Sequence, residues 1–548
     1  EDQLSQVLEV CWQRTEYESM AMALLFLLGL AVAVAEVTPE VTTPVGRLRG
    51  VEEAGVRAFR GIPYAEAPVK ELRWRPPVPF KAWEGIREAS QYGKPCMQIL
   101  PGGSEDCLYL NVYSPKNVSE TSGLPCLVWI HGGGFEFGSG GDIYYNGTNL
   151  VSFLLSQEKP AVLVTMNYRL NVFGFLGSEM LRDRDPDRST GNYGIQDQRM
   201  ALRWVQENIR AFGGDPAKVM IFGQSAGACS VSSHLLMPKS FGLYSRAIME
   251  SGGFVDWSAR PMSISEIWFQ RLLTQSKCND VKCLTDLSAQ EVLAAFLAIP
   301  DGRCCRQLIG YPFLPWAPTI DGVELTGLPR DLVEDGKVNK IPMVMGNTLD
   351  DAAAFFSNPN LSTAELDSLF VKYGSKSAEK LYLSESHASL QNYSNEWWAA
   401  ERAVTDQNFF CPIHSASRKL ASSTDVFQYL LEHSIRGTPI VQHSDDIPLV
   451  FMNLPLHASL EEKQLAQQMA MSWYHMAAFG HPEDMWPKQT SQVAPMLTFQ
   501  VASQGGNQVK DANYRDEQCS FMLQWLNTTT HGDRTFFGVH LVPEMISI

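Results

Sequence analysis

Residues 219–229 read Val-Met-Ile-Phe-Gly-Gln-Ser-Ala-Gly-Ala-Cys, and the fold turns on this stretch. The apolar run Val219 to Phe222 suits a strand covered on both faces. Gly223, Gln224, Ser225, Ala226 and Gly227 then make G-x-S-x-G. Small, helix-compatible residues continue to Leu236, and Pro238 stops them. Strand, sharp turn and helix in that order are the setting of a nucleophile elbow, which holds a serine hydroxyl out on a strained turn. Glycines two residues either side of Ser225 leave room for the neighbouring strand and helix. The N–H of Ala226, at the helix start, is placed to donate to an oxyanion forming beside the serine.

Further upstream, Leu124 to Ile130 is another continuous apolar run, and it leads straight into His131-Gly132-Gly133-Gly134-Phe135. Three glycines after a buried strand let the backbone come close to a ligand and offer its N–H groups. HGGG loops supply the other half of the oxyanion hole in lipases and esterases. Ala161–Met166, Arg246–Met249, Ile341–Gly346 and Val426–Leu431 read as further strands, as does Glu105–Val112. Ile195–Ile209 and Leu460–Phe479 carry apolar residues at helical spacing. Strands alternating with helices predict an α/β fold with a large, mostly parallel central sheet and helices on both faces. The glycine-punctuated residues 43–75 predict short antiparallel strands at its edge. Residues 255–340 read as helices and loops, and residues 362–424 as helical. With no repeat and no Pro-, Gly- or Ser-rich linker, residues 36–548 are expected to form one domain with long insertions.

The chain has 548 residues, 45% hydrophobic and 19% charged, the balance of an ordinary globular protein. A net charge of −16 argues against nucleic acid or an anionic membrane as partner. Met22 to Ala35 is a short apolar run ending Ala33-Val34-Ala35, an A-x-A pattern. Residues 1–35 are therefore expected to be a leader and signal peptide, cleaved near Ala35. Five N-x-S/T sequons, at Asn117, Asn146, Asn360, Asn392 and Asn527, agree with secretion, and so do 11 cysteines. No anchor signal follows Asn527, so the expectation is an extracellular or secretory-lumen protein with no membrane anchor.

Taken together, Glu105-Asp106-Cys107-Leu108-Tyr109-Leu110-Asn111-Val112, HGGGF at 131–135, GNYGIQDQ at 191–198, FGGDP at 212–216 and the elbow resemble type-B carboxylesterases and cholinesterases of the α/β-hydrolase superfamily. The resemblance covers about residues 43–525. It implies an α/β-hydrolase fold and a serine carboxylic-ester hydrolase working through an acyl-enzyme, with no cofactor and no metal. It assigns Ser225 as nucleophile, His443 as general base, and the N–H groups of Gly133, Gly134 and Ala226 as oxyanion hole. The family's acid is usually Glu, in G-x-N-x-D-E-G. Here the stretch is Gly346-Asn347-Thr348-Leu349-Asp350-Asp351-Ala352, so Asp351 takes its place. Asp reaches about 1.5 Å less far, one methylene. The resemblance also implies disulfides Cys96–Cys107, Cys278–Cys283 and Cys411–Cys519, and ion pairs Arg73–Glu105 and Asp406–Arg515. Cys126 and Cys229 are expected free and buried, His234 packed, and His387, His457 and His540 on the surface.

Two departures bear on substrate. Cholinesterases carry a Trp between the first two disulfide cysteines, but residues 97–106 have none, so that cation–π platform for a choline ester is missing. Cholinesterases also place Glu before the serine, where this chain has Gln224, as insect juvenile-hormone esterases do. The expected partner is thus a small or apolar ester. The competing expectation is a catalytically weak or inactive binding protein on the same scaffold, like the neuroligins, for which the Asp351-Ala352 departure is the best support.

Overall fold

The computed structural model describes residues 38–531 except 301, 303–313, 357, 373–377, 384–392, 484 and 511–512. The expected leader and signal peptide lie outside the described residues, as do Asn392, Cys304, Cys305, His387 and His540. An 11-stranded sheet organises the chain. Its strands are β1 (Val51–Glu53), β2 (Val56–Pro63), β3 (Tyr109–Pro115), β4 (Leu124–Ile130), β5 (Val162–Met166), β6 (Gly214–Gln224), β7 (Arg246–Glu250), β8 (Met343–Thr348), β9 (Val426–Leu431), β10 (Met496–Phe499) and β11 (Gln508–Lys510). They lie in the order β11-β10-β9-β8-β7-β6-β4-β5-β3-β2-β1.

From β5 across to β10 every neighbouring pair is parallel. The pairs at both edges are antiparallel: β1–β2, β2–β3 and β3–β5 on one side, β10–β11 on the other. A parallel sheet needs both faces covered, because its crossovers put helices there. Strand β6 shows this in its alternation. Val219 and Ile221 face a core shared with α1 (Tyr193–Asn208) and α2 (Ala226–Leu236). Met220 and Phe222 face the opposite core.

A third helix, α3 (Asn395–Thr405), is followed by a π-turn, Asp406–Phe410, and then by α4 (Cys411–Leu420). Trp397, Trp398, Ala400 and Val404 of α3 form part of a separate apolar cluster. The second core face is covered by α5 (Leu460–Phe479) through Leu465, Met469 and Trp473. Both ends of α5 are written in its sequence. Ser459 Oγ accepts from Glu462 N at 3.2 Å while Glu462 Oε2 accepts from Ser459 N at 2.6 Å, a reciprocal cap. Gly480, at φ 81°, ends the helix in the left-handed region.

Several boundaries differ from expectation. The stretch Glu105–Leu108 is not strand, and β3 begins only at Tyr109. Glu105 is instead held by Arg73, whose Nε donates at 2.6 Å. Residues 255–340 contain a two-stranded pair, Arg260–Pro261 with Thr319–Ile320, besides helices. Short β10 and β11 carried no readable alternation.

Cys96–Cys107, Cys278–Cys283 and Cys411–Cys519 are disulfide-bonded, while Cys126 and Cys229 are free and buried. The GNYGIQDQ stretch has a structural role. Asp197 of α1 receives Arg169 Nε and Nη2, both at 2.7 Å, and neither side chain meets solvent appreciably. Removing one partner of such a pair leaves a buried charge unpaired. Arg169→Ala is expected to lower unfolding free energy by about 3–5 kcal/mol, measured by denaturant titration of variant and parent.

Candidate active site

All the chemistry-bearing loops leave the sheet at the carboxyl ends of parallel strands, where α/β sheets open a crevice. The HGGG loop follows β4, Ser225 follows β6, Asp351 follows β8, and His443 lies in the loop after β9. The register keeps these exits level. Ile130 pairs with Gly223, Gln224 with Glu250, and Glu250 with Gly346.

Ser225 sits between β6 and α2 at φ 59°, ψ −126°, outside the regions L-residues normally occupy. Such a conformation costs about 1–3 kcal/mol and persists only when its surroundings over-determine it. They do so here. Ser225 N donates to Glu250 O at 2.8 Å, and Ser225 O accepts from Cys229 N at 2.9 Å. A Cβ on Gly223 would stand 2.6 Å from both Ile130 O and Gly227 C, so only glycine fits there.

In the facing loop, Gly133 and Gly134 have φ of 101° and 59°. Gly133 O accepts from Glu136 N and Phe137 N, which curls the loop. Among the described residues, the N–H groups of Gly133, Gly134 and Ala226 donate to no protein acceptor. His131, whose role the sequence left open, is a brace for this loop. Its ring stacks on Tyr168 at 4.4 Å, and Nδ1 donates to Gly132 O at 2.8 Å. Burial lowers its pKa to about 4, so it stays neutral and outside the acid–base chemistry.

Asp351 is fully buried, with Oδ1 2.5 Å from His443 Nδ1 and Oδ2 accepting from Thr348 N at 3.1 Å. The neighbouring Asp350 faces elsewhere. Its Oδ2 accepts from Val441 N at 2.9 Å, and its Oδ1 lies 2.6 Å from Arg402 Nη2. Asp350 thus anchors the start of the histidine loop while Asp351 meets the ring. The rings of Phe355 and Phe409 each lie 5.2 Å from the His443 imidazole. The Nε2 edge of the ring is polar: His443 Nε2 is 3.0 Å from Gln224 Nε2. Ser225 Oγ forms no hydrogen bond with another described residue. A tautomer with hydrogen on Nδ1, donating to Asp351, leaves the Nε2 lone pair facing Gln224.

A serine hydroxyl on an elbow, a buried carboxylate holding an imidazole, and two sets of free N–H groups at one strand-end crevice can together perform acyl transfer. The description "Carboxylesterase family" matches residues 37–522 of this chain. The chain belongs to the carboxylesterase family. It is a carboxylic ester hydrolase with an α/β-hydrolase fold. The enzyme is 34% identical to fumonisin B1 esterase of Sphingopyxis macrogoltabida over 504 residues, covering 85% of this chain and 88% of that protein. It is 33% identical to the cholinesterase of Mus musculus, covering 84% and 83%. The crystal structure of a Geobacillus stearothermophilus carboxylesterase at pH 6.2 superposes with a TM-score of 0.76 at 32% identity, covering 88% of this chain and 99% of that one.

Of the other sequence-singled residues, His234 is buried between Gln198 Oε1 and Ser240 Oγ, at 3.1 and 2.9 Å. His414 Nδ1 meets Gln428 Oε1 at 3.0 Å. His457 is exposed. Asn117, Asn360 and Asn527 are exposed and Asn146 is half-buried. The ion pair Arg515–Asp406 is present at 2.7 Å.

What the sequence missed is a carboxyl cluster under the histidine. Asp446, within the same loop, accepts from Tyr429 Oη at 2.9 Å, and Glu250 accepts from Trp473 Nε1 at 2.7 Å. Burial pushes both carboxyls up in pKa. The nearby Asp351 adds to the rise of Asp446, and Asp446 to that of Glu250. The folded protein therefore keeps protons that the unfolded chain, with carboxyls titrating near 4, has already released. The stability these groups lend is full below pH 4 and is lost as pH rises through their raised pKa values. Asp446→Asn is expected to flatten the decline of Tm with rising pH above pH 4, checked by thermal denaturation across pH 4–8.

Proposed function

We propose that the enzyme is a secreted serine carboxylesterase that cleaves small or apolar carboxylic esters through Ser225, His443 and Asp351. The observation that carries the reading is the 2.5 Å contact of a buried Asp351 with His443 Nδ1, in the crevice that also holds the strained Ser225. Serine is a weak nucleophile at neutral pH, so His443 Nε2 takes its proton as Oγ attacks the ester carbonyl. Asp351 keeps the imidazole in the needed tautomer and stabilises the imidazolium that forms. The N–H groups of Gly133, Gly134 and Ala226 receive the oxyanion, each contributing about 3 kcal/mol to transition-state stabilisation. The imidazolium returns its proton to the leaving alkoxide, and water then hydrolyses the acyl-enzyme by the same route.

Substrate preference is read from the walls. Phe355 and Phe409 stack 6.3 Å apart beside the imidazole, and Trp257 meets Phe409 edge-on at 6.0 Å. This wall favours an apolar group on the ester. The missing Trp between Cys96 and Cys107 argues against a quaternary ammonium alcohol, despite the likeness to a cholinesterase. Three disulfides support passage through an oxidising compartment. Among the described residues no helix is long and apolar enough to cross a membrane.

Kinetics on p-nitrophenyl esters test this reading. Ser225→Ala is expected to abolish turnover in folded protein. Asp351→Asn should lower kcat about 10⁴-fold with KM little changed. Asp350→Asn should cost far less than Asp351→Asn; the opposite ranking would reassign the acid. Hydrolysis of p-nitrophenyl butyrate should exceed that of butyrylthiocholine in kcat/KM, and a preference for the thiocholine ester would refute the apolar assignment.

A further inference from the structure

Gln224 is the last residue of β6 and is 2% exposed. Its carboxamide lies between the histidine and the glycine loop. Nε2 lies 3.0 Å from His443 Nε2, and Oε1 lies so close to Gly132 that a Cβ there would stand 3.2 Å away. We propose that Gln224 is a positioning residue for His443, whose carboxamide N–H latches the imidazole lone pair in the resting enzyme until a bound ester displaces it. The inference rests on the triad reading above and adds what sets the base's availability.

Donors and acceptors decide the direction of this contact. Asp351 Oδ1 accepts at Nδ1, so Nε2 carries the lone pair that must take the Ser225 proton. A carboxamide nitrogen has hydrogens and no lone pair to offer, so at this distance it donates to Nε2. Ser225 Oγ is left without that bond. For proton transfer, the amide rotates away, the hydroxyl takes its place, and the proton passes from Oγ to Nε2 as the Oγ–carbonyl bond forms. A donor at Nε2 stabilises only the neutral ring, because protonation would set N–H against N–H. Gln224 therefore competes with the Ser225 hydroxyl, and with a proton, for the same lone pair.

The other groups facing His443 act in the opposite sense or not at all. Asp351, from the turn after β8, favours the imidazolium. Asp446 on the same loop, hydrogen-bonded by Tyr429 of β9 and interacting with Glu250 of β7, adds to this when ionised. Phe355 and Phe409 are uncharged. Gln224 thus occupies the Nε2 lone pair in the resting site, and the latch confines its release to the moment when substrate is present.

The test compares the parent enzyme with Gln224→Met, which keeps the length and loses the donor, and Gln224→Glu, which presents an acceptor. The acid limb of kcat/KM and the rate of Ser225 phosphonylation by diisopropyl fluorophosphate are measured for each. The Met variant should move the acid limb up by about half to one pH unit and speed phosphonylation at pH 8 by about threefold. The Glu variant should move the limb up by more than one unit and slow phosphonylation at pH 7. Unmoved limbs in both variants, or slower labelling of the Met variant with no limb shift, would overturn the latch. If the Met variant does not fold, ¹⁵N NMR of Ser225→Ala decides. His443 Nε2 should still resonate as a hydrogen-bonded acceptor, and an unbonded shift would overturn the proposal. A parent enzyme that Ser225 phosphonylation does not label would sink the esterase mechanism itself; a labelled parent with unmoved variants sinks the latch alone.

Discussion

The structure hangs on one backbone residue held where L-amino acids rarely go. Ser225, at φ 59°, is pinned by its N–H to Glu250 O and by its carbonyl to Cys229 N. The turn is possible because Gly223 and Gly227 let β6 and α2 press against Ile130 of β4 without a side chain between. That close packing brings the turn of Ser225 against the glycine loop. Ile130 leads into the glycine loop, Gln224 and Glu250 pair across β6 and β7, and the start of α2 brings the Ala226 N–H to the same crevice. The cost of about 1–3 kcal/mol in backbone strain is carried by a sheet buried on both faces.

The carboxyl side of the proposed site departs from the family pattern. Asp351 has one methylene fewer than the usual Glu, yet its Oδ1 reaches His443 Nδ1 at 2.5 Å. Asp350 ties the two loops together. It binds Val441 N and Arg402, and so draws the start of the histidine loop toward the end of β8. The buried carboxyls of Asp446 and Glu250 lie behind this contact, with their hydrogen bonds to Tyr429 and Trp473.

Much of this was legible in the residues. Continuous apolar runs marked β4 and the end of β6, because strands buried on both faces need no polar side. G-x-S-x-G and HGGGF marked the two tight turns of the proposed site, because close backbone approach excludes a Cβ. The short strands β10 and β11 were not legible, since three or four residues carry no periodicity. Glu105–Leu108 reads as strand by composition, but the ion pair of Glu105 with Arg73 and the disulfide at Cys107 hold it outside the sheet. The choice between Asp350 and Asp351 could be made only by analogy, because adjacent carboxylates differ in direction and not in kind. The contact between Gln224 and His443 joins residues far apart in the chain and leaves no local pattern at all.

The central claim is that Ser225 attacks an ester and carries its acyl group. Quenched-flow mixing of the enzyme with a slowly deacylating p-nitrophenyl ester, followed by peptide mass mapping, tests it directly. The account predicts a burst of about one p-nitrophenol per active site and an acyl adduct on the peptide that contains Ser225. Steady release with no burst, and an acyl group found on another residue or on none, would contradict it.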